Sequence, residues 1–78
     1  MIIRHAELQV GKVYKNRGGS EYLCLGQIGG SAWDMLNIKS SWRLTAHIIT
    51  MYEDGTIEWD YSSDGYFSNF KYIGGQRQ

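Results

Sequence analysis

The sequence predicts an all-β domain: a small antiparallel, SH3-like or related barrel of about five to six short strands. Three observations lead there. Ten glycines and no proline are placed so that the glycines fall between apolar stretches, where turns belong. The longest apolar stretch, Trp42 to Tyr52, is rich in Ile, Thr and aromatic residues, which favour a pleated surface. The pair Asp54-Gly55 stands between two alternating segments, the strongest short-range sign of a tight hairpin.

Taken in order, residues 1–10 form either a short strand or one helical turn. Gly11 then opens Lys12-Val13-Tyr14, a strand, and Asn16-Arg17-Gly18-Gly19-Ser20 is a turn with two residues free to take positive φ. Residues 21–28 alternate as a strand, with Tyr22, Cys24 and Ile28 on one side and Leu23 and Leu25 on the other. Gly29-Gly30-Ser31 ends it. Ala32 to Ile38 is a third apolar segment, closed by Lys39-Ser40-Ser41. In residues 42–52 the set Trp42, Leu44, Ala46 and Ile48 recurs at period two, which favours a strand over a helix.

The hairpin that follows has two allowed registers. A two-residue turn at Asp54-Gly55 pairs Tyr52 with Ile57 and puts Ile48 on the face of Trp59. A three-residue loop, Glu53 to Gly55 with a glycine bulge, pairs Tyr52 with Thr56 and brings Ile49 and Met51 to that face. In both, the other face of the long strand also carries apolar groups, so burial on both sides is expected. Beyond the loop, Ile57, Trp59 and Tyr61 face one way and Thr56, Glu58 and Asp60 the other. Ser62-Ser63-Asp64-Gly65 reads as a turn, Tyr66 to Ile73 as a last strand or short helix, and 74–78 as a fraying tail.

Composition narrows the functions. Eight Lys+Arg balance eight Asp+Glu, so no overall basic field holds the chain on DNA. Apolar residues at 42% and aromatics at 14% are too many for a disordered tail. A domain this small buries only about 60–65% of its unfolded surface, so self-association into a homo-oligomer is expected to add stability. A single cysteine excludes an internal disulfide and a four-cysteine zinc site. No apolar run reaches membrane-span length and the N-terminus is unlike a signal peptide, so a cytoplasmic location is expected.

The groups capable of catalysis are sparse, and no catalytic or metal-ligating residue is assigned. Cys24 sits mid-strand between Leu23 and Leu25, the setting of a buried, inert thiol. His47, between Ala46 and Ile48, reads as a core or cross-strand histidine rather than a base, and His5 supports no role. Glu58 and Asp60, two apart on a strand with Cα atoms roughly 7 Å apart, have the spacing to hold a hard cation or share a proton. No calcium-type loop surrounds them, and a solvated face is the plainer reading. A non-enzymatic protein without a cofactor is therefore expected.

Binding residues are easier to nominate. Lys12, Lys15 and Arg17 lead into Gly18-Gly19-Ser20, a turn suited to aiming backbone N–H groups and nearby cations at an anion. Three tryptophans and six tyrosines exceed what so small a core can bury. Exposed rings near Arg17 or Arg43 suit base stacking or anchoring of a protein partner. The candidate ligand-binding set is Lys15, Arg17, Gly18, Gly19, Trp42, Arg43, Trp59 and Tyr61.

Lys15-Asn16-Arg17-Gly18-Gly19 with Tyr22 and Cys24-Leu25, Ser40 and Trp42 with Ala46-His47, and the block from Tyr52 to Ser62 with Gly65 and Phe67 form a pattern. It resembles a family of small proteins encoded in phages and integrated mobile elements of gut bacteria, over roughly residues 10 to 67. The resemblance implies a setting, an accessory anti-defence gene of a mobile element acting in the bacterial host. It carries no fold, activity or site residue with it. Three functions then rank in order: sequestration of a small anionic, nucleotide-like ligand; inhibition of a host protein through exposed Trp and Tyr and the acidic 53–64 segment; and binding of single-stranded nucleic acid. Neutral charge weakens the last, although positive charge is concentrated in residues 4–17.

Overall fold

The computed structural model describes residues 1–69, and the expectations for 70–78 lie outside them. Six strands follow one another: β1 (Ile3–Arg4), β2 (Val13–Lys15), β3 (Glu21–Ile28), β4 (Ala32–Asn37), β5 (Trp42–Met51) and β6 (Ile57–Phe67). No helix occurs among the described residues. Every strand pair is antiparallel, in the order β1-β5-β4-β3-β2 with β6 on the opposite edge of β5. The sheet curls until Asn16, just past β2, meets Ile57 at the start of β6 in a single parallel bridge. The product is the small all-β barrel expected from the sequence, a half-barrel whose β2 and β6 edges touch at one point.

Its core follows from alternation. Cys24, Trp33, Met35, Ala46, Ile49 and Ile57 project to the concave side, where Tyr14 fills one flank and Ala6 and Leu8 the end. Met35, Ile49, Ile57 and Cys24 are essentially inaccessible, and full burial of an aliphatic chain stabilises by about 1.5–3 kcal/mol. Leu23 and Leu36, directly opposed on β3 and β4, are buried on the other face.

Strict alternation fails at two places, each for a backbone reason. In β3 the register shifts between Cys24 and Gly26, so Ile28 leaves the side of Cys24 and stands 51% exposed rather than sharing its burial. In β5, Ile48 adopts φ 60°, a left-handed conformation unfavourable for a β-branched residue, and its N–H bonds to the Ser31 carbonyl at 2.8 Å. The inward set is consequently Leu44 and Ala46, then Ile49 and Met51, with Ile48 out of phase. The opposite face of β5 carries Arg43, Thr45 and His47, all half-buried, so this strand is fully covered on one side only.

The hairpin adopts the three-residue loop. Tyr52 N–H donates to the Thr56 carbonyl at 2.9 Å, Gly55 takes φ 85°, and Met51 pairs with Ile57 and Ile49 with Trp59. Asp54 selects this geometry, because its Oδ1 accepts from the Thr56 N–H at 3.0 Å and the Thr56 hydroxyl at 2.6 Å. Those bonds hold the Asp54 carboxyl below its ordinary pKa.

Ser62-Ser63-Asp64-Gly65 is not a turn, contrary to its composition. These residues lie within β6, where Ser62 pairs with Ala46 and Ser63 with Thr45. The ten-residue β5 offers a continuous ladder, and its pairing overrides local turn preference. A register shift between Arg43 and Thr45 absorbs one extra residue, and a Cβ at Gly65 would lie 2.0 Å from the Arg43 carbonyl oxygen. Glycine is required there by close approach. The N-terminal ambiguity resolves as the two-residue β1, pairing Ile3 with Met51 and Arg4 with Thr50.

Candidate binding site

The turn after β2 is closed by Asn16. Its N–H donates to the Ser20 carbonyl at 2.8 Å, its carbonyl accepts from Gly19 at 3.0 Å, and its Oδ1 accepts from the Ser20 N–H at 2.9 Å. Gly19 supplies the positive φ of 96°. Two N–H groups of the glycine-rich turn are therefore consumed inside it, and the chemistry it offers a ligand resides mainly in Arg17. That guanidinium lies 4.1 Å from the centroid of the Tyr52 ring, whose hydroxyl donates to Glu58. The bond to Glu58 raises the Tyr52 pKa. Among the described residues, Lys15, Arg17 and Lys39 form no ion pair.

A cleft opens where the Asn16–Ile57 bridge ends. Asn16, Arg17 and Gly18 form one wall and Ile57, Glu58 and Trp59 the other, around a volume of about 180 Å³. Trp59 is half-buried and held by Tyr22, which meets it edge-on at 5.0 Å and 89°. A cation, an indole and a carboxylate thus line one recess, smaller than the roughly 300 Å³ of an ordinary drug-sized site. On the other flank of the turn, Gly18 and Gly19 face Lys39 and Ser40 across a more polar groove.

The remaining nominated residues lie elsewhere. Arg43 is committed to Asp34 across β4 and β5, its Nε 3.1 Å from Oδ2, and that bond raises its pKa further. Trp42 packs edge-on against Phe67 at 4.9 Å and 80°. Neither lines the Arg17 cleft. Tyr61 does not accompany Ile57 and Trp59 inward. It is 58% exposed and stacks on His47, its partner across the ladder, at 4.3 Å and 7°, beyond the point where β5 changes phase at Ile48. Lys15 and Arg17 are exposed at the turn.

Other reactive groups are occupied or enclosed. His47 is the cross-strand histidine expected, with Nε2 2.9 Å from the Ser63 hydroxyl. Among the described residues no carboxylate bonds to that imidazole. Cys24 is fully buried, and desolvation pushes its thiol pKa up. Glu58 and Asp60 have separate partners, Glu58 the Tyr52 hydroxyl and Asp60 the Arg4 guanidinium at 2.6 Å. Sequence patterning missed the Asp34–Arg43, Arg4–Asp60 and His47–Ser63 pairs, since each joins residues on different strands whose mutual register no local pattern gives.

No protein-family model, curated protein or solved structure matches the chain.

Proposed function

We propose that the chain is a non-enzymatic binding module that holds a small anionic, nucleotide-like ligand at the Arg17–Trp59 cleft. One observation carries this reading: the recess between the 16–18 turn and the start of β6 sets the Trp59 indole beside Arg17, which forms no ion pair among the described residues. Its size suits one part of a ligand, a base laid on the Trp59 indole, with phosphate outside against Arg17 and Lys15. Glu58 in the same recess disfavours a phosphate placed inside it. In the setting the sequence resemblance implies, such a module acts in the bacterial cytoplasm as an anti-defence factor that sequesters a signal. Subunit association is proposed to deepen the recess.

Calorimetric titration with adenosine and guanosine mono- and cyclic nucleotides tests this. Arg17→Ala is expected to weaken binding about tenfold to hundredfold, the loss of one charge-assisted hydrogen bond. Trp59→Leu is expected to weaken it by a similar factor through lost stacking. Unchanged affinity in both variants of a folded protein removes the cleft as the site. Host-protein inhibition is the second reading, favoured by Tyr61, Tyr66 and Phe67 standing exposed along β6. Single-stranded nucleic acid is the third, and a salt slope well short of about −0.7 per phosphate contact excludes it.

A further inference from the structure

Among the described residues, the half-barrel leaves one long strand edge without a partner. Tyr52 and Thr56 are the hydrogen-bonded pair that closes the hairpin, so alternation turns the N–H and C=O of Ile57 and Trp59 away from β5. Those of Ile57 face Asn16 across the parallel bridge. From Trp59 to Phe67, no described strand lies along the outer edge of β6. An unpaired edge of this length is a template for another strand, and proteins normally protect it.

Charge decides what kind of strand it admits. From Leu44 to Asn69 the chain carries five carboxylates, Glu53, Asp54, Glu58, Asp60 and Asp64, and no Lys or Arg. Three of the five lie on β6 itself. A second copy pairing through this edge would bring Glu58 and Asp60 close to the same acids, and opposed like charges destabilise a strand pair. An incoming strand rich in Lys or Arg meets them favourably. Tyr61, Tyr66 and Phe67 stand exposed along the strand as anchors for its side chains. The edge is also held in shape, with Arg4 bound to Asp60 and His47 stacked on Tyr61.

We propose that the outer edge of β6, beyond the Ile57 bridge, takes an extended basic segment of a partner protein as an added β-strand. The acids that exclude self-pairing select that segment, and main-chain hydrogen bonds hold it. This goes beyond ligand binding in the cleft and does not depend on it.

The test uses the whole chain and an end-capped peptide of about eight residues alternating Val and Lys, long enough to span the free edge. Amide exchange by NMR is expected to slow at least tenfold at Trp59 when the peptide is added, with little change at Ile57, whose groups already face Asn16. A Val/Glu peptide and a Val/Lys peptide N-methylated along one edge are expected to leave Trp59 unprotected. Asp60→Asn is expected to weaken the Val/Lys peptide about fivefold at low salt. Failure of the Val/Lys peptide to protect Trp59 at millimolar concentration overturns the proposal. Equal binding of the N-methylated peptide also overturns it, since contact is then with a face, not the edge. So does a peptide-free dimer with Trp59 protected, because self-pairing is what the acids are argued to prevent.

Discussion

Replacing Gly65 by alanine tests the long β5–β6 ribbon, on which the placement of Tyr61, His47 and the free edge depends. The added Cβ would sit 2.0 Å from the Arg43 carbonyl oxygen, 2.7 Å from Trp42 Nε1 and 2.9 Å from Trp42 Cε2. Ordinary carbon–oxygen contacts begin near about 3.3 Å, so the backbones must separate by more than 1 Å. The nearest obstacle is main chain rather than a mobile side-chain tip, and the Trp42 ring that would have to swing is packed against Phe67. Overpacking of this kind costs about 1–3 kcal/mol, and an immovable backbone places Gly65→Ala at the upper end. Seventy-eight residues give a total stability of about 4–12 kcal/mol, so such a loss is a large fraction of it. It corresponds to a fall in Tm of about 12–20 °C, read by circular dichroism and checked by urea titration. Gly26→Ala is the control, since a Cβ there meets nothing within 4 Å. If Gly65→Ala melts within a degree or two of Gly26→Ala, the strands do not approach at this point and the continuous β6 is wrong.

Further outcomes follow from the same geometry. Ile48→Gly removes left-handed strain worth about 1–2 kcal/mol while losing half-buried apolar surface, so its unfolding free energy from urea titration is expected to lie within about 1 kcal/mol of wild type, whereas an unstrained strand position would lose several. Asp54→Ala is expected to lower the Tm at neutral pH. Asp54 has a depressed folded-state pKa, so its stabilisation is present above the unfolded value and lost as pH falls through the folded one; the two melting curves should converge in acid. Cys24 is expected to resist a thiol reagent in the native protein and react at once in denaturant, and rapid native labelling would contradict its complete burial.

The sequence was a good guide wherever one local signal dominated. Residues 21–28 and the Asp54-Gly55 loop are bounded by turn residues, and their strands form where patterning puts them. Local pattern allows two registers at the loop, and the Tyr52–Thr56 pairing with Asp54 bonded to Thr56 is the three-residue one. Faces depart from alternation at the β3 bulge and at the left-handed Ile48. Ile48 and Tyr61 were assigned by strict alternation, and a left-handed isoleucine has no sequence signature. Ser62 to Gly65 read as a turn because composition is blind to the ladder a distant strand offers. The site divides the same way. Arg17, Gly18 and Trp59 meet because the barrel brings the end of β2 to the start of β6. Arg43 reads from the sequence as a candidate ligand-binding residue, but Asp34, nine residues earlier, pairs with it across the sheet.

The cleft reading is tested most directly at the three tryptophans, whose indole N–H signals report separately on Trp33, Trp42 and Trp59. Titrating cyclic and linear nucleotides into the labelled protein should shift the Trp59 indole to saturation while Trp33, buried in the core, and Trp42, packed on Phe67, stay in place. Loss of that shift in Arg17→Ala would tie the two walls of the recess to one ligand. A Trp59 signal unmoved by every nucleotide, or a saturating shift at Trp42 alone, would contradict the Arg17–Trp59 site.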